Sequence, residues 1–580
     1  MEFLDPETWE PLKSGTKAVI RTADGKMHRE FVLALHDFAL LFDGEGKPLN
    51  PPEHPGSDDD PGVMGINYRC EPMVERLKRK NDPAHIFSSL CYGDPATPIL
   101  ETYPGEPMVI RLFDGAHEEQ HIFNITGLPW RKEITDPVSP LVQSQTIGIS
   151  EAFNLRIDEP YGAGDYLYYS GGIDDLWLGL WGIIRAYATL QKCLKPLCNA
   201  RPVAAPRTPP PGAVVRKFEI AAIQKDLRYN RYGDHDPEGL LFVPLEQAKD
   251  VQCGRRKPIP LILRVNAGDW VEVTLHNLFA PNVPIRWNEY PSMPLNTPFV
   301  PGNRVSLNPQ FLKYDPIASP GVNIGWNRVE QTAGPGECVK YLWHADREYD
   351  TCLLTSFGDL RNHRHHGLFG AVIAAPGVET FREFVLFAHN GIRLLDKDGN
   401  LIKTTEQGME PGEEGGHDAP DHEDTGEKGY NYRSERFFNR LQRVPLIYKV
   451  FDSKVHGDPA TPVFQSYTGE RVIIRLLMPA DKPRNISFVL HGHRWRAQPG
   501  DPFSTVVPVQ GAVSVGNVFN IEPERTKCPG DYLYRSGSLR WDVESGMWGI
   551  YRVLSRGIRY HCESACRGVK QWWEKKWYEK

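Results

Sequence analysis

The sequence stretch Gly530-Asp531-Tyr532-Leu533-Tyr534 is followed shortly by Gly546-Met547-Trp548-Gly549-Ile550. Two matching stretches occur earlier in the chain, as Gly164-Asp165-Tyr166-Leu167-Tyr168 and Gly179-Leu180-Trp181-Gly182-Ile183. Short runs that are rich in aromatic residues and bounded by glycine are typical of β-strands joined by tight turns. The sequence therefore predicts the same pair of strands at two places in the chain.

Further matches precede both strand pairs and keep the same order. Arg29-Glu30-Phe31-Val32-Leu33 recurs as Arg382-Glu383-Phe384-Val385-Leu386, and each stretch begins an apolar run that ends in His36 or His389. Three more pairs of stretches match, namely 67–69 with 431–433, 93–98 with 457–462, and 103–112 with 467–476. Self-similarity that keeps order and spacing indicates a repeated unit. We predict two homologous domains at about residues 29–190 and 380–556.

The residues between the two copies show the same pattern in a more divergent form. Trp270-Val271-Glu272-Val273-Thr274-Leu275 alternates like a half-buried strand, and the apolar stretch from Gly367 to Ile373 closes the segment. The Pro-rich stretch from Arg201 to Gly212 predicts an extended, semi-rigid linker. The predicted organisation is an extension at 1–28, a first domain at 29–198, the linker at 199–212, a second domain at 213–379, a third domain at 380–556 and a tail at 557–580.

The composition excludes several classes of protein. The 580 residues include 67 Lys and Arg against 74 Asp and Glu, and a net charge of −7 does not favour binding to nucleic acid. The 50 Pro, 52 Gly and 11% aromatic residues favour many short strands over a helical bundle. No apolar run reaches the roughly 18 residues of a membrane span, and the start lacks the pattern of a signal peptide. We expect a soluble chain synthesised in the cytoplasm, and its later assembly on a cell or spore surface stays open.

These motifs resemble a known family. The two kinds of stretch quoted first look like the last two strands of a cupredoxin domain, and the segment from Ile486 to Trp495 resembles the histidine-rich strand of multicopper oxidases. The segment from Tyr341 to Ile373 resembles the multi-cupredoxin branch of that family, which includes manganese-oxidising enzymes. The resemblance implies an all-β fold of three cupredoxin-like Greek-key β-sandwich domains in series.

The resemblance also implies a copper chemistry whose ligands this sequence lacks. The family holds one copper with a Cys thiolate and two His, and a cluster of further coppers with paired His motifs. At the position of that Cys this chain has Ser170, Ser356 and Ser536. Two paired-His motifs align with Ile285-Arg286-Trp287-Asn288 and with Asn308-Pro309-Gln310, which offer no imidazole. The resemblance therefore predicts that a complete oxidase site is absent.

The densest group of remaining histidines is His363, His365 and His366, with His344 upstream. A His-x-His strand would place His363 and His365 on one face of a sheet, and the carboxylates near His344 would suit a harder ion such as Mn²⁺. Those carboxylates belong to Asp346, Glu348 and Asp350. The alternative is a polar surface loop ahead of Gly367, in which a substitution would have little effect on stability.

Two smaller groups of histidines complete the set of candidate metal ligands. His491 and His493 also share a strand face, although inherited structure explains that pair equally well. His121 lies near His117, Glu118 and Glu119, and this group forms either an oxygen and nitrogen site or a solvated turn. The candidate ligands are His121, His344, His363, His365, His366, His491 and His493. Copper, at partial occupancy or not at all, is the cofactor that the resemblance implies.

Other features have a structural interpretation. The pairs Cys193/Cys198 and Cys562/Cys566 both follow the end of an outer repeat, which indicates equivalent staples or tail segments of unknown redox state. Two acidic stretches at 57–60 and 410–427 are predicted to be solvated loops, with a divalent-cation site as the alternative. The aromatic tail at 571–578 is predicted to dock on its own core or on a partner.

We interpret the chain as a protein similar to multicopper oxidases whose copper sites are eroded. It would act as a structural or accessory subunit, packed against other cupredoxin chains or against itself. The alternative is an active oxidase that reduces oxygen while it oxidises a metal ion or a phenol, with the remaining histidines as ligands. A Cu–thiolate bond gives a blue-copper site its intense colour, so colour distinguishes the two hypotheses.

Overall fold

The computed structural model describes residues 1–42, 44–46, 63–115, 120–136, 138–198, 207–281, 302–375, 380–392, 394–402, 427–480 and 485–555. Within these residues the chain forms short β-strands with a few helical turns between them. The strands assemble into pairs of sheets that make three β-sandwiches in succession. The predicted all-β fold of three β-sandwiches in series is confirmed.

The first sandwich contains strands β1 to β13 and helices α1 to α3. The strands of its first sheet are β1 (Glu2–Leu4), β2 (Lys17–Arg21), β3 (Met27–Ala39), β4 (Val63–Ile66), β6 (Met108–Asp114) and β11 (Ala152–Ile157). The strands of its second sheet are β5 (Ile99–Thr102), β7 (His121–Ile125), β10 (Ser144–Ile147), β12 (Gly164–Ser170) and β13 (Trp181–Ala186). A small hairpin consists of β8 (Trp130–Arg131) and β9 (Leu141–Val142). The helices are α1 (Met73–Arg79), α2 (Ser89–Tyr92) and α3 (Ile173–Leu178).

The second sandwich contains strands β14 to β24 and helices α4 and α5. The strands of its first sheet are β14 (Val215–Gln224), β17 (Leu240–Pro244), β19 (Trp270–Asn277), β21 (Lys313–Tyr314) and β22 (Cys338–His344). The strands of its second sheet are β18 (Leu261–Asn266), β20 (Asn308–Pro309), β23 (Asp350–Thr355) and β24 (Phe369–Ala375). A small hairpin consists of β15 (Leu227–Arg228) and β16 (His235–Asp236). The helices are α4 (Ala248–Gln252) and α5 (Leu360–His365).

The third sandwich contains strands β25 to β35 and helices α6 and α7. The strands of its first sheet are β25 (Arg382–Ile392), β26 (Glu427–Tyr430), β28 (Val472–Ala480) and β33 (Val518–Ile521). The strands of its second sheet are β27 (Val463–Tyr467), β29 (Ile486–Leu490), β32 (Val509–Val513), β34 (Gly530–Ser536) and β35 (Trp548–Leu554). A small hairpin consists of β30 (Trp495–Arg496) and β31 (Val506–Val507). The helices are α6 (Phe437–Arg443) and α7 (Ser453–His456), and a π-helical turn spans Leu539–Val543.

The three sandwiches share one strand order. Their first sheets contain the orders β4-β3-β6-β11, β17-β14-β19-β22 and β26-β25-β28-β33, and their second sheets contain β5-β13-β12-β7, β18-β24-β23-β20 and β27-β35-β34-β29. Each sheet has one parallel pair among antiparallel neighbours: β3 with β6, β14 with β19 and β25 with β28 in the first sheets, and β5 with β13, β18 with β24 and β27 with β35 in the second. Neighbours that are distant in sequence are the mark of Greek-key connections.

The helices are single turns or little more, and they lie at strand ends. Short 3₁₀ turns occur at Pro83–His85, Leu245–Gln247 and Ile447–Lys449. Among the described residues no helix has the length and apolar character that a membrane crossing requires. The described part of the predicted linker, residues 207–212, is held by an ion pair between Arg207 and Asp315 and ends in a turn at Gly212.

Each outer sandwich contains a buried arginine that contacts residues of the repeated motifs. Arg440 donates from Nε to Glu435 Oε1 at 2.7 Å and from its two Nη atoms to the carbonyl oxygens of Val450 and Gly457. Its guanidinium lies 4.7 Å from the ring centroid of Trp548, whose indole N–H donates to the Glu435 carbonyl. This arginine therefore ties α6 to the turn at Gly457 and to β35.

The first sandwich contains the same arrangement around Arg76. Arg76 donates to Glu71 Oε1 at 2.8 Å and to the carbonyl oxygens of Ile86 and Gly93, and it lies 4.6 Å from the ring centroid of Trp181. The Trp181 indole N–H donates to the Glu71 carbonyl, as Trp548 does in the third sandwich. Residues of the repeated Gly-x-Trp-Gly-Ile and Gly-Asp-Pro stretches thus contact the same buried arginine in each outer sandwich.

The aspartates of two repeated motifs hold a second arginine, in an arrangement that we call the arginine clamp. In the first sandwich Arg185 donates to both carboxylate oxygens of Asp94 and of Asp165. Trp326 of the second sandwich covers this clamp, because its ring lies 3.5 Å from the guanidinium and its backbone N–H donates to Asp165. Arg552 forms the corresponding clamp in the third sandwich, with Asp458 and Asp531 as partners.

Candidate metal positions

The three serines that the resemblance places at the position of a copper-binding Cys lie in equivalent places in the three sandwiches. Ser170 ends β12 and Ser536 ends β34, while Ser356 directly follows β23. All three side chains are buried, and each serine precedes a single helical turn, which is α3, α5 or the π-helical turn. Each turn returns one polar side chain to the serine hydroxyl. We call each of these three pairs a serine lock.

The first serine lock pairs Ser170 with Asp175, and His121 contacts this pair. The Ser170 hydroxyl donates to Asp175 Oδ2 and accepts the backbone N–H of Ile122 at 3.0 Å. His121 Nδ1 lies 3.2 Å from the same carboxylate oxygen, and both side chains are fully buried. Burial disfavours the charged imidazole, but the Asp175 carboxylate outweighs that cost and raises the pKa of His121 to about 9. His121 is therefore a protonated partner of Asp175, and a protonated imidazole does not bind a metal.

The second serine lock joins Ser356 and His363. His363 Nε2 lies 2.9 Å from the Gly302 carbonyl oxygen, so this nitrogen carries the proton and donates. Its Nδ1 then accepts from the Ser356 hydroxyl at 3.0 Å. Burial lowers the pKa of His363, which keeps the ring neutral. Both ring nitrogens are therefore occupied by protein atoms.

The third serine lock joins Ser536 and Asp542. The Ser536 hydroxyl donates to Asp542 Oδ2, while Lys428 Nζ lies 3.8 Å from the other carboxylate oxygen. Burial raises the pKa of Asp542, and Lys428 opposes that shift. The sequence analysis missed both aspartates of these locks. The sequence signal for these locks is a polar residue five positions after the serine in the first sandwich, seven in the second and six in the third.

The structure contradicts the strand predicted for the histidine-rich segment. His363 and His365 lie on helix α5, whose first turn is capped by the Asp359 side chain. The segment is also not a surface loop, because His363, His365 and His366 are all buried. His365 packs with its ring centroid 6.3 Å from that of His389, and His366 Nδ1 lies 2.8 Å from Asp236 Oδ2. The helix therefore directs the three rings to three different sets of neighbours.

His389 is a further buried histidine that the sequence analysis did not single out as a ligand. It lies on β25 and contacts Phe369 edge to face, with ring centroids 5.5 Å apart. Burial and the neighbouring His366 lower the pKa of His389 to about 3. This apolar contact between the second and third sandwiches keeps the imidazole neutral.

Two of the three carboxylates near His344, those of Asp346 and Asp350, bind other partners. His344 ends β22 and stacks on Trp270, with ring centroids 4.6 Å apart. Asp346 accepts from the Tyr349 hydroxyl, and Asp350 accepts from Arg475 at 2.8 Å. Across the described residues no three His, Cys, Asp or Glu side chains are grouped so that they could hold a metal ion. The predicted site for a hard ion is therefore not assembled there.

The prediction that His491 and His493 share a strand face is also wrong. Strand β29 ends at Leu490, and the chain then turns through Gly492, which has a φ of +75°. His491 Nε2 accepts from Arg535 Nε at 2.9 Å. His493 Nδ1 lies 3.0 Å from the His491 carbonyl oxygen, and its Nε2 lies 2.6 Å from Thr526 Oγ1. The two rings therefore face different partners.

Two further residues that the resemblance aligns with copper motifs, Asn308 and Gln310, donate hydrogen bonds to main-chain carbonyl groups. Asn308 donates to the Pro320 carbonyl oxygen within the second sandwich. Gln310 donates at 2.6 Å to the carbonyl oxygen of Gly516, which belongs to the third sandwich.

Six predictions fall outside the described residues. They concern His117 with Glu118 and Glu119, the stretch 285–288, the acidic stretches 57–60 and 410–426, the pair Cys562/Cys566, and the tail. Cys193 and Cys198 are exposed and form no disulfide.

A scan against protein-family models finds no match, and neither does a search of curated proteins. The chain is similar to a solved structure titled "Crystal structure of multicopper oxidase", with 17% identity and a TM-score of 0.37 over 60% of this chain and 92% of that chain. It is also similar to "Copper nitrite reductase from Nitrosomonas europaea pH 8.5", with 17% identity and a TM-score of 0.36 over 59% of this chain and 94% of that chain. Similarity at this level carries no argument about chemistry, and the manganese-oxidising branch stays a prediction.

Proposed function

We propose that this chain is a structural, non-redox subunit of a larger cupredoxin assembly, in which serine locks replace the copper sites. The observation that carries the proposal is that Ser170, Ser356 and Ser536 each form a buried hydrogen bond with a side chain of the following turn. A hydroxyl in that position is a poor copper ligand compared with a thiolate. The residues present therefore do not fit a blue-copper ion.

The state of the surrounding imidazoles supports the same proposal. His121 carries a proton that its partner Asp175 stabilises, whereas metal ligation requires a neutral ring. His363 and His493 each have contacts at both ring nitrogens, and His491 accepts from a cationic arginine. Freeing the buried rings of His121, His363 or His493 would leave a hydrogen-bonding partner unsatisfied, which costs about 1–3 kcal/mol for a buried group.

An exposed apolar surface supports the assembly part of the proposal. In the first sandwich the turn after α1 lies against the second sandwich, where His85 contacts Glu330 at 2.8 Å and Asn323 donates to the Ala84 carbonyl oxygen. The corresponding turn of the third sandwich, 446–448, exposes Leu446, Ile447 and Tyr448 to solvent. Adjacent apolar side chains at a position that is an interface elsewhere in the chain indicate a protein contact. We infer that another cupredoxin chain covers this turn.

The first test of the proposal is copper content. We expect the purified chain, incubated with excess copper and then desalted, to show no intense blue absorption and far less than stoichiometric copper. It should consume no oxygen with phenols or Mn²⁺ as substrates, because no described site presents a thiolate or a cluster of neutral imidazoles. Atomic absorption, visible spectra and an oxygen electrode measure these three quantities. Stoichiometric copper together with turnover would overturn the proposal.

The second test concerns association. We expect material isolated from its native source to elute as a complex, and we expect Tyr448→Glu to weaken that complex at least about tenfold because it places a charge in an apolar contact. Tyr68→Glu is the matched control, because Tyr68 is also a fully exposed tyrosine but lies on the first sandwich. Size-exclusion chromatography with light scattering and native mass spectrometry measure the complex and its weakening in each variant. A monomer at every accessible concentration contradicts the assembly, and equal effects of the two variants contradict the location of the contact.

A further inference from the structure

A cavity of about 870 Å³ lies where residues of the second and third sandwiches meet beside helix α6. Its walls include apolar side chains such as Phe438 and Leu441. Among the described residues that line it, carboxylates outnumber cationic side chains by five to two. The carboxylates belong to Asp234, Asp396, Asp398, Glu427 and Glu544, and the cations belong to Lys397 and Arg436. An apolar cavity with an excess of negative charge suits an organic cation.

The carboxyl group of Glu427 lacks a hydrogen-bond donor at one of its oxygens. Its side chain is 2% exposed, and Oε2 accepts no hydrogen bond from any described residue. Arg436 Nε lies 3.6 Å from this oxygen but donates to Asp234 Oδ2 at 3.1 Å. The neighbouring Lys428 has its Nζ 3.8 Å from Asp542 Oδ1. A buried acceptor without a donor is costly, and an N–H group of a ligand would satisfy it.

The fold itself does not require a carboxyl group at this position. Strand β26 is the equivalent of β4, because Glu427 pairs with Ile392 as Val63 pairs with Ala39. Val63 is a buried apolar residue of the first sandwich. The third sandwich therefore buries a polar group where its repeat buries a hydrocarbon, and that choice favours a role in binding over a role in folding.

We propose that this cavity binds a small primary amine in its protonated form, with the ammonium group at Glu427 and the apolar body against Phe438 and Leu441. An ammonium group carries three N–H donors, one of which would bond to Glu427 Oε2. A quaternary ammonium ion has no N–H group, and an alcohol has no positive charge. The Phe438 side chain is 58% exposed and offers an aromatic surface to the body of the ligand.

Calorimetric titration of the full-length protein tests the proposal with three probes that share one aromatic body. The probes are phenethylamine, its N,N,N-trimethyl derivative and 2-phenylethanol, each used at about pH 8.5, where an alkylamine is still protonated. We expect phenethylamine to bind at least about tenfold more tightly than either of the others, because it alone provides both the charge and the N–H group. Equal affinities for the three probes, or no binding of phenethylamine at millimolar concentration, would overturn the proposal.

Two variants of Glu427 locate the site. Glu427→Gln keeps the shape and removes the charge, and Glu427→Val introduces the residue of the first sandwich. We expect both to weaken phenethylamine binding at least about tenfold. Without amine, Glu427→Val should unfold at a denaturant concentration no lower than that of wild type, because it removes a buried acceptor that has no donor. Glu522→Gln is the control, since Glu522 pairs with Arg471 on the same sandwich and does not line the cavity. Unchanged binding by the Glu427 variants contradicts the site, and a marked loss of stability in Glu427→Val shows that the carboxyl group supports the fold instead.

The pH dependence of binding provides a further readout. Burial raises the pKa of Glu427 to about 8, with Arg436 and Lys428 opposing the shift and Asp234 adding to it, while Glu544 lines the same cavity. At about pH 6.5 this carboxyl group must lose its proton before it accepts from an ammonium group, so we expect the affinity of wild type to be about twentyfold lower than at about pH 8.5. Glu427→Val should lack this dependence. An equal pH dependence in the two proteins would contradict the role of Glu427.

Discussion

Replacement of Arg440 by methionine should lower the stability of the third sandwich by about 3–5 kcal/mol, the usual cost of removing one partner of a buried ion pair. Arg440 and Glu435 are both fully buried, so the variant leaves the Glu435 carboxylate with only the partly exposed Arg231, 3.5 Å away, as a charged partner. It also leaves the carbonyl oxygens of Val450 and Gly457 without a donor and removes the cation from the face of Trp548. The side chain of methionine fills much of the volume, which separates the polar loss from a cavity effect.

The measurement is the shift of the denaturant midpoint for the transition of the third sandwich, followed by hydrogen exchange of peptides from β34 and β35. Arg443→Met is the control on the same helix, because Arg443 is exposed and its replacement should change stability by less than about 0.5 kcal/mol. Arg76→Met should destabilise the first sandwich by a similar amount to Arg440→Met. Equal midpoints for Arg440→Met and Arg443→Met would show that the buried arginine contributes little.

The first serine lock should make the stability of the first sandwich fall as the pH rises. The pKa of His121 is about 9 in the folded chain, while an unfolded histidine has a pKa of about 6.5. The folded state therefore binds this proton more tightly. The stabilisation is complete below about pH 6.5 and is lost as the pH rises through about 9, and its full size is about 3 kcal/mol.

The experiment compares wild type with His121→Asn, in denaturant titrations from about pH 6 to about pH 10. We expect the stability difference between the two proteins to shrink by about 3 kcal/mol over that range. The comparison with the variant is necessary because Asp82 and Glu330 also raise the pKa of His85 to about 9, so His85 titrates in the same window in both proteins. A stability difference that does not change with pH would show that the buried imidazole is not charged.

The sequence predicted the strands well where aromatic runs are bounded by glycine. Tyr166 and Tyr168 lie on β12 as these runs indicate, and the matching residues Tyr532 and Tyr534 lie on β34. The repeated aspartates were visible as motifs, but their role was not, because Asp94 and Asp165 meet Arg185 only after β12 and β13 pair. Motif spacing along the chain therefore indicated equivalence and did not reveal contacts.

The histidine-rich segment shows why the candidate ligands were placed wrongly. A His-x-His spacing fits one face of a strand, and nothing in the residues 363–366 themselves favours a helix strongly. The helix is favoured by Asp359, whose side chain caps α5. It is also favoured by the burial of the three histidines against Ser356, Asp236 and β25. The cap and the Ser356 contact are local, but the contacts with Asp236 and β25 join residues that are distant in sequence, which a local pattern cannot show.

The arginine clamp of the first sandwich has a mechanical consequence. Asp165 lies on β12 and Arg185 on β13, so the clamp bridges the two strands, while Asp165 also accepts the backbone N–H of Trp326 from the second sandwich. A force that separates β12 from β13 must therefore also break the attachment to the neighbouring sandwich. The clamp of Arg552 has no such covering tryptophan among the described residues, so the corresponding strands of the third sandwich bear a load on their own. The junction between the first and second sandwiches therefore resists such a force better than the pairing of β34 with β35 does.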